Sequence, residues 1–379
     1  MVRVRRVSDV SILENHPESW DAIGTGSPLA ETSWLQPWWQ QFGDEHETYL
    51  LVAEDVGGSL LGAFPLYRVA LPTGERRLHH FGDGNTCTDF VSIIGPRGNR
   101  DDIAVAFANY LIDQHGSCED GWQHLQIDGV SEGDTAMVAL TETLEASGAL
   151  TTTKSKLNTW RLPCQPTWDE FLGTCSKRQR SRFRQQLRRI ESLEIAIWMP
   201  KTIGETYQAV EKLIQLHQAR QTGLGQPGSY HDPSFRQFVH EVAANFFANG
   251  RLMLPCVKYE DEVISASMFL EGRDRVLYCY SCGSSPDHMT LEPGHALNAY
   301  AIRRACESGL TAVDFMRGDE PYKARLGAQP TRVLQINAAA PTLVPRLQHM
   351  AWRTGLQMTE FVRRSVGRPA TEIVHLTSS

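Results

Sequence analysis

LEPGHALNAYAIRRACESGLTAVDFMRGDEPYKARLGA, residues 291–328, has the pattern of a helix, a strand and a charged loop in succession. Pro293 and Gly294 sit where a helix should begin, after a strand and a loop. Proline suits the first helical position because the N–H it lacks is one a helix leaves unpaired anyway. The helix should run to Ser308 and stop at Gly309. A strand, Ala312–Met316, follows, then a charged loop. The first amides of a helix have no internal partner, and the helix dipole is positive there. Such an end can hold a pyrophosphate, and Gly294 would let the backbone come close. Pro-Gly before a helix is also an ordinary turn, so both readings stay open.

The loop DFMRGDEPYK, from Asp314 to Lys323, carries four charged groups and a tyrosine after the strand's Asp314 and Phe315. Asp319 and Glu320 could take a proton from an attacking amine, and Tyr322 could protonate a leaving thiolate. Arg317 and Lys323 could bind an anionic substrate or steady a developing oxyanion. A solvated turn with an internal ion pair fits the same residues equally well.

Working outward, three strand-like runs precede this stretch: Leu252–Tyr259, Val263–Leu270 and Arg275–Cys282. Glu260-Asp261-Glu262 and Glu271-Gly272-Arg273-Asp274 separate them, which reads as an antiparallel meander. A loop, Gly283 to Glu292, leads to the Pro293 helix. After the charged loop a last strand should cover Val333–Asn337. Upstream, Thr167–Glu170 and Ser176–Gln179 have capping-box spacing. The second opens a basic helix with Phe183, Leu187 and Ile190 on one face. In it, seven of the thirteen residues from Lys177 to Arg189 are Lys or Arg. With almost no balancing acids, this run reads equally as an anion site or a solvated face. Tyr207, Val210, Ile214 and His217 mark a second helix. Asp232-Pro233 opens a third, with Phe235, Phe238, Val239, Val242 and Phe246 inward and Gly250 as its stop.

The N-terminal half repeats this order. A helix holds Trp34, Leu35, Trp38, Trp39 and Phe42. Strands are expected at Tyr49–Ala53, Leu60–Tyr67, Arg76–Phe81 and Phe90–Ile94. A helix, Asp101–Gln114, and a strand, Trp122–Ile127, follow. The class is α/β (α+β): two tandem units, each a mixed, mostly antiparallel sheet flanked by helices. Expected bounds are 1–160, 161–340 and a tail at 341–379. The tail's Leu343–Arg364 reads as an amphipathic helix bearing Arg346, Arg353, Arg363 and Arg364, packed on the body rather than anchored in a membrane.

The 379 residues, 41% hydrophobic and 21% charged, suffice for two cored domains. A net charge of −7 excludes a chain basic throughout, so no DNA partner is expected. MVRVRRVSDV lacks the apolar core of a secretory leader, and no apolar run reaches the ~18 residues of a membrane helix. A cytoplasmic protein is expected. The eight cysteines are scattered. Cys279 and Cys282 form a C-x-x-C inside an apolar run, where strand alternation points them to opposite faces, so no metal is expected. His217 reads as core-edge and His231 as structural, while His295 lies at the proposed phosphate end.

The run PGHALNAYAIRRACESGLTAVDFMRGDEPYKARLGA resembles the CelD-like acetyltransferases, a branch of the GNAT superfamily associated with polysaccharide biosynthesis. LHQARQTG, FVHEVAANFFANGRLMLPCVKYEDEVISASMFL and DRVLYCYSCGSSPDH extend the resemblance over residues 165–330. Gln221 departs from it where an aromatic is expected, and Leu326 where tryptophan is expected. The resemblance implies an acyl-CoA co-substrate held where two parallel strands, Arg275–Cys282 and Ala312–Met316, splay apart. The pantetheine would pair with the backbone near Tyr278, Cys279 and Tyr280. The pyrophosphate would meet the amides of Gly294, His295 and Ala296, since the usual phosphate motif, Q/R-x-x-G-x-G/A, is absent. Glu320, Asp319 and Tyr322 remain the catalytic candidates from the chemistry of the loop, and Arg317, Lys323 and Arg220 the substrate-binding ones. The acceptor implied is an amine, on an amino sugar or a cell-envelope polysaccharide precursor. KRQRSRFRQQLRR also resembles the segment opening the second domain of Fem-type transferases, twin GNAT-like proteins that use aminoacyl-tRNA. A tRNA partner belongs to that alternative only. A non-catalytic GNAT-fold binding module is the third reading.

Overall fold

The computed structural model describes residues 2–365 and 372–374, apart from Leu193 and Leu224. The chain divides into two compact units. Unit 1 comprises the N-terminal residues through Thr25, Leu29–Asn158 and the chain from Thr331 onward; unit 2 comprises Gly26–Pro28 and Thr159–Pro330.

Unit 1 begins with β1 (Arg3–Val7), α1 (Ser11–Asn15), α2 (Pro17–Ile23) and α3 (Thr32–Phe42). Three strands follow: β2 (Glu47–Glu54), β3 (Leu60–Ala70) and β4 (Arg76–His80). Then come α4 (Arg100–Gln114), β5 (His124–Ser131), α5 (Thr135–Ala146) and β6 (Leu150–Pro163), whose end belongs to unit 2. β1 to β4 form an antiparallel meander. After the α4 crossover, β5 lies parallel to β4, in register from Arg77↔His124 to His79↔Gln126. Tyr49 to Ala53 are all fully buried. Helices cover the sheet, so this strand is a continuous apolar run rather than an alternating one. Ile103, Phe107 and Leu111 of α4 join Tyr49, Leu51 and Phe64 in one core.

Unit 2 begins with α6 (Trp168–Thr174), α7 (Lys177–Glu191), β7 (Ala196–Trp198), α8 (Ile203–Gly223) and α9 (Pro233–Ala248). Its strands continue with β8 (Leu252–Met253), β9 (Cys256–Tyr259), β10 (Glu262–Glu271) and β11 (Val276–Ser284). They are followed by α10 (Pro293–Glu307), β12 (Ala312–Arg317) and α11 (Pro321–Leu326). The order is β12-β11-β10-β9-β7, antiparallel except for the parallel β11–β12 pair. The chain then re-enters unit 1 as β13 (Gln329–Ala339), α12 (Leu343–Ser365) and β14 (Glu372–Val374). β13 lies antiparallel to β5, from Val333↔Ser131 to Ala339↔His124.

The order meander, crossover helix, parallel strand thus occurs twice. In each unit the parallel pair is the fourth and fifth strand along the sheet. The expected caps form. Ser176 and Gln179 make a reciprocal capping box, Thr167 accepts from the Glu170 amide, and Asp232 accepts from Ser234. Three segments differ from the sequence reading. Phe90–Ile94 forms no strand beyond an isolated bridge, Ala63↔Ile94, because Phe90 adopts a left-handed φ of 61°. Leu252–Tyr259 splits into β8 and β9 around Pro255, which has no N–H to give a ladder. The chain from Thr331 clusters with unit 1, where the sequence reading extends the second unit to residue 340, because β13 pairs with β5.

Candidate active site

The parallel strands β11 and β12 hold register over three pairs only, Val276↔Ala312, Leu277↔Val313 and Tyr278↔Asp314. Two irregularities mark the place where they part. On β11, Tyr280 is the extra residue of a bulge: Met268 opposes Ser281 while the next residue, Phe269, opposes Cys279. Bulges bend a strand and re-aim its groups. On β12, Met316 turns into the left-handed region at φ 56°, and the pairing with β6 shifts between Asp314 and Arg317. Asp314 holds this kink. One carboxylate oxygen accepts the Met316 amide at 2.8 Å and the other accepts Arg161 Nε at 2.9 Å. Only 1% of the residue is exposed, and burial pushes its carboxyl up while Arg161 opposes. Sequence reading gave Asp314 no role of its own. The available signal was a lone acid inside the apolar strand AVDFM.

The charged loop is closed from inside. Lys323 is 2% exposed, and its ammonium donates to the carbonyls of Met316, Arg317 and Gly318 at 3.2, 3.0 and 3.0 Å. It also lies 2.9 Å from the Glu320 carboxylate. Three donors are thereby engaged. Lys323 braces the loop and does not face an anionic acceptor, contrary to the sequence reading. Glu320 folds back over Gly318, whose φ is 119°; a Cβ there would meet a Glu320 oxygen at 2.6 Å. Asp319 is exposed and accepts Trp160 Nε1 at 3.0 Å. Tyr322 sits edge-on to Phe315 at 6.1 Å. Burial pushes its phenol far up, helped by Cys282, Cys279 and Glu320. It is therefore protonated at neutral pH.

Tyr322 also lines a cleft of about 290 Å³ between α7, α10 and α11. Arg178 and Arg182 come from α7, Arg325 from α11 and His295 from the start of α10. Gln179 Nε2 donates to the Arg325 carbonyl at 3.1 Å, tying α7 to α11. The acid beside this group is Glu292, which accepts Arg182 at 3.0 Å and Gln186 at 2.6 Å. Burial pushes the His295 imidazole down, and the Arg182 charge adds to it. Of the three amides expected to meet a phosphate, those of His295 and Ala296 already bond the Glu292 carbonyl, at 3.0 and 3.2 Å. Glu292 adopts a left-handed φ of 46° at the N-cap and reaches both. Ala296 is fully buried besides. The guanidiniums, more than the helix amides, make this cleft attractive to an anion.

The remaining expected residues divide. Tyr278 is buried, with its hydroxyl donating to Asp274 at 2.6 Å. Cys279 points into the core with Ile302 and Ala305. Tyr280 is the bulged residue, and Arg317 ends β12 half-buried. Arg220 ends α8, exposed, and its charge reaches Cys282 and Tyr322. His217 packs edge-on against Tyr230 at 4.9 Å. Among the described residues no group of side chains is arranged for a metal ion. No helix among them is long and apolar enough to cross a membrane.

Residues 177–324 match the family model described as an acetyltransferase (GNAT) domain, and this region spans α7 to the start of α11. No curated protein matches the chain. Among solved structures it is similar to FemX, at 13% identity and TM-score 0.61, over 91% of this chain and 99% of that one. It is also similar to a conserved protein of unknown function from Bacteroides thetaiotaomicron VPI-5482: 12% identity, TM-score 0.55, 90% and 100% covered. A third is the C-terminal domain of a putative lysylphosphatidylglycerol synthetase from Agrobacterium fabrum: 8% identity, TM-score 0.52, 86% and 91% covered. Identities this low establish a shared fold alone. What is similar to a GNAT acetyltransferase domain is thus residues 177–324, within unit 2.

Proposed function

We propose that the protein is an acyl-CoA-dependent N-acyltransferase whose acceptor is an amine on an amino sugar or a cell-envelope polysaccharide precursor. The observation that carries this reading is the parting of β11 from β12 beside an arginine-lined cleft. Beyond Tyr278 the β12-facing edge of β11 suits an amide-bearing arm, while Arg178, Arg182 and Arg325 suit the phosphates at its end. Acyl-CoA would supply the activated thioester. Glu320, with Asp319 as the second candidate, takes the proton that the amine sheds as its nitrogen bonds the acyl carbon. The carbon–sulfur bond breaks, and Tyr322 protonates the departing thiolate. Both carboxylates are exposed, as access to an external acceptor requires.

The Fem-like alternative keeps the site and changes the donor to an aminoacyl-tRNA. Lys177, Arg184 and Arg188, exposed on α7 and outside the cleft's lining, favour it. Calorimetric titration with coenzyme A, acetyl-CoA and an aminoacyl-tRNA separates the two. Coenzyme A should bind, and the double variant Arg182→Ala/Arg325→Ala should weaken it by roughly tenfold or more. Binding of tRNA without coenzyme A would transfer the reading to the alternative. Binding of neither would leave a non-catalytic module.

A further inference from the structure

Helix α12 is apolar on two opposite sides. Its inward side is set by Pro345 and His349, both buried, with Trp352 and half-buried Leu356 following on the same face. His349 Nε2 is hydrogen-bonded with Thr152 Oγ1 at 2.9 Å, and Lys154 Nζ stands 5.2 Å from the Trp352 ring. Half a revolution away lie Leu343, Leu347, Met350 and Met358, with Thr354 between them. Their exposures are 73, 56, 56 and 67%. The spacing i, i+4, i+7, i+15 makes them one stripe. Packing on unit 1 requires apolar residues on the inward side only. The outward stripe therefore contributes nothing to the fold and would be soluble as polar residues.

Charge settles which partner the stripe fits. Arg346 and Arg353, both exposed and seven residues apart, lie on one flank of it. From Leu343 to Thr359 the helix has no Asp or Glu, although the whole chain carries −7. Pairing with a second copy would bring two such flanks together with no acid between Leu343 and Thr359 to meet them. A surface that is apolar within and negative at its rim meets both features. We propose that the outward face of α12 docks in the plane of an anionic lipid surface, with Leu343, Leu347, Met350 and Met358 at the acyl boundary and Arg346 and Arg353 among the headgroups. Amphipathic helices bind in this way, through buried apolar area and electrostatic attraction together. The proposal does not depend on the donor or the acceptor used by unit 2.

The test is co-sedimentation of the full chain with vesicles of phosphatidylcholine alone and of phosphatidylcholine mixed with phosphatidylglycerol. Wild type should sediment with the mixed vesicles, roughly tenfold more tightly than with the neutral ones, and less as salt rises. Leu347→Ser/Met350→Ser should weaken binding by on the order of tenfold or more. Arg346→Ser/Arg353→Ser should abolish the preference for phosphatidylglycerol. All four positions are exposed, so both variants should melt as wild type does, which separates lost docking from lost folding. No binding to either vesicle overturns the proposal, as does binding that both variants leave intact. Light scattering that finds a dimer dissolved by Leu347→Ser/Met350→Ser overturns it in favour of a second copy.

Discussion

The Lys323 ammonium lies 2.9 Å from the Glu320 carboxylate, with 3% of one side chain and 49% of the other exposed. The buried partner also fills three carbonyls, so the pair is asymmetric: Glu320 can be lost to solvent, whereas Lys323 cannot leave without stranding the loop. Lys323→Met should cost about 2–4 kcal/mol of stability, through unpaired buried carbonyls. A thermal melt should show unit 2 unfolding roughly 5–15 °C lower. An unchanged melt would mean that the loop does not rely on this ammonium.

Glu320→Gln should lower kcat by ~10²–10⁴-fold if Glu320 is the base. Coenzyme A affinity should hold, because the cleft that suits the phosphates is lined by other residues. Steady-state kinetics and binding, measured in parallel, check this. Full kcat in both Glu320→Gln and Asp319→Asn, across roughly pH 6–9, would leave proton removal to water.

Gly294 faces Ser284, whose hydroxyl oxygen would stand 3.3 Å from an added Cβ. Its amide is the one of the expected three that the Glu292 carbonyl does not take. Gly294→Val should therefore crowd a phosphate and weaken coenzyme A by roughly tenfold. Equal affinities by calorimetry would move the phosphate site wholly to the arginines.

Unit 1 carries an acid-sensitive network. Arg6 pairs with Glu47 at 2.5 Å and Asp120 at 2.6 Å, and Arg68 pairs with Glu47 at 2.6 Å. Burial is the largest influence on both acids and raises them, but it is outweighed. Arg68 and Arg6 bring Glu47 below the usual range, and Tyr110 and Arg6 do the same for Asp120. Acids depressed in the folded state stabilise it above the ordinary carboxylate pKa of ~4, and that stability is lost as pH falls through the folded values. Asp120→Asn should make the melting temperature less dependent on pH between roughly 6 and 3. Asp274 and Asp314, both raised by burial, act with the opposite sign: their contribution is present in acid and lost as pH rises through their folded values. A steeper acid loss in Asp120→Asn would show that the network does not govern this limb.

Elements with a local cause were legible. Ser176, Thr167 and Asp232 announce their helices through side-chain caps, and Pro293 through its missing N–H. Strands covered on both faces were legible as apolar runs. The partners of a charge were not. Lys323 looks like a surface cation in sequence, because nothing local says that three carbonyls converge on it. The arginine cleft needed α7, α10 and α11 together, although KRQRSRFRQQLRR gave its basic wall. The left-handed turn at Met316, held by Asp314, depends on Arg161 from a distant strand.

The late return of β13 to unit 1 has a consequence for synthesis. Apart from Gly26–Pro28, unit 2 is encoded as one run that ends at Pro330, directly before the residues that close unit 1. On the ribosome the second unit can therefore be finished while the first still waits, with the outer edge of β5 lacking the neighbour that Val333–Ala339 provides. An unpaired edge is a template for wrong strands. The nascent chain thus passes through a stage in which its older half is the vulnerable one, and a stop codon shortly after Pro330 would spare unit 2 while stranding the unit made before it.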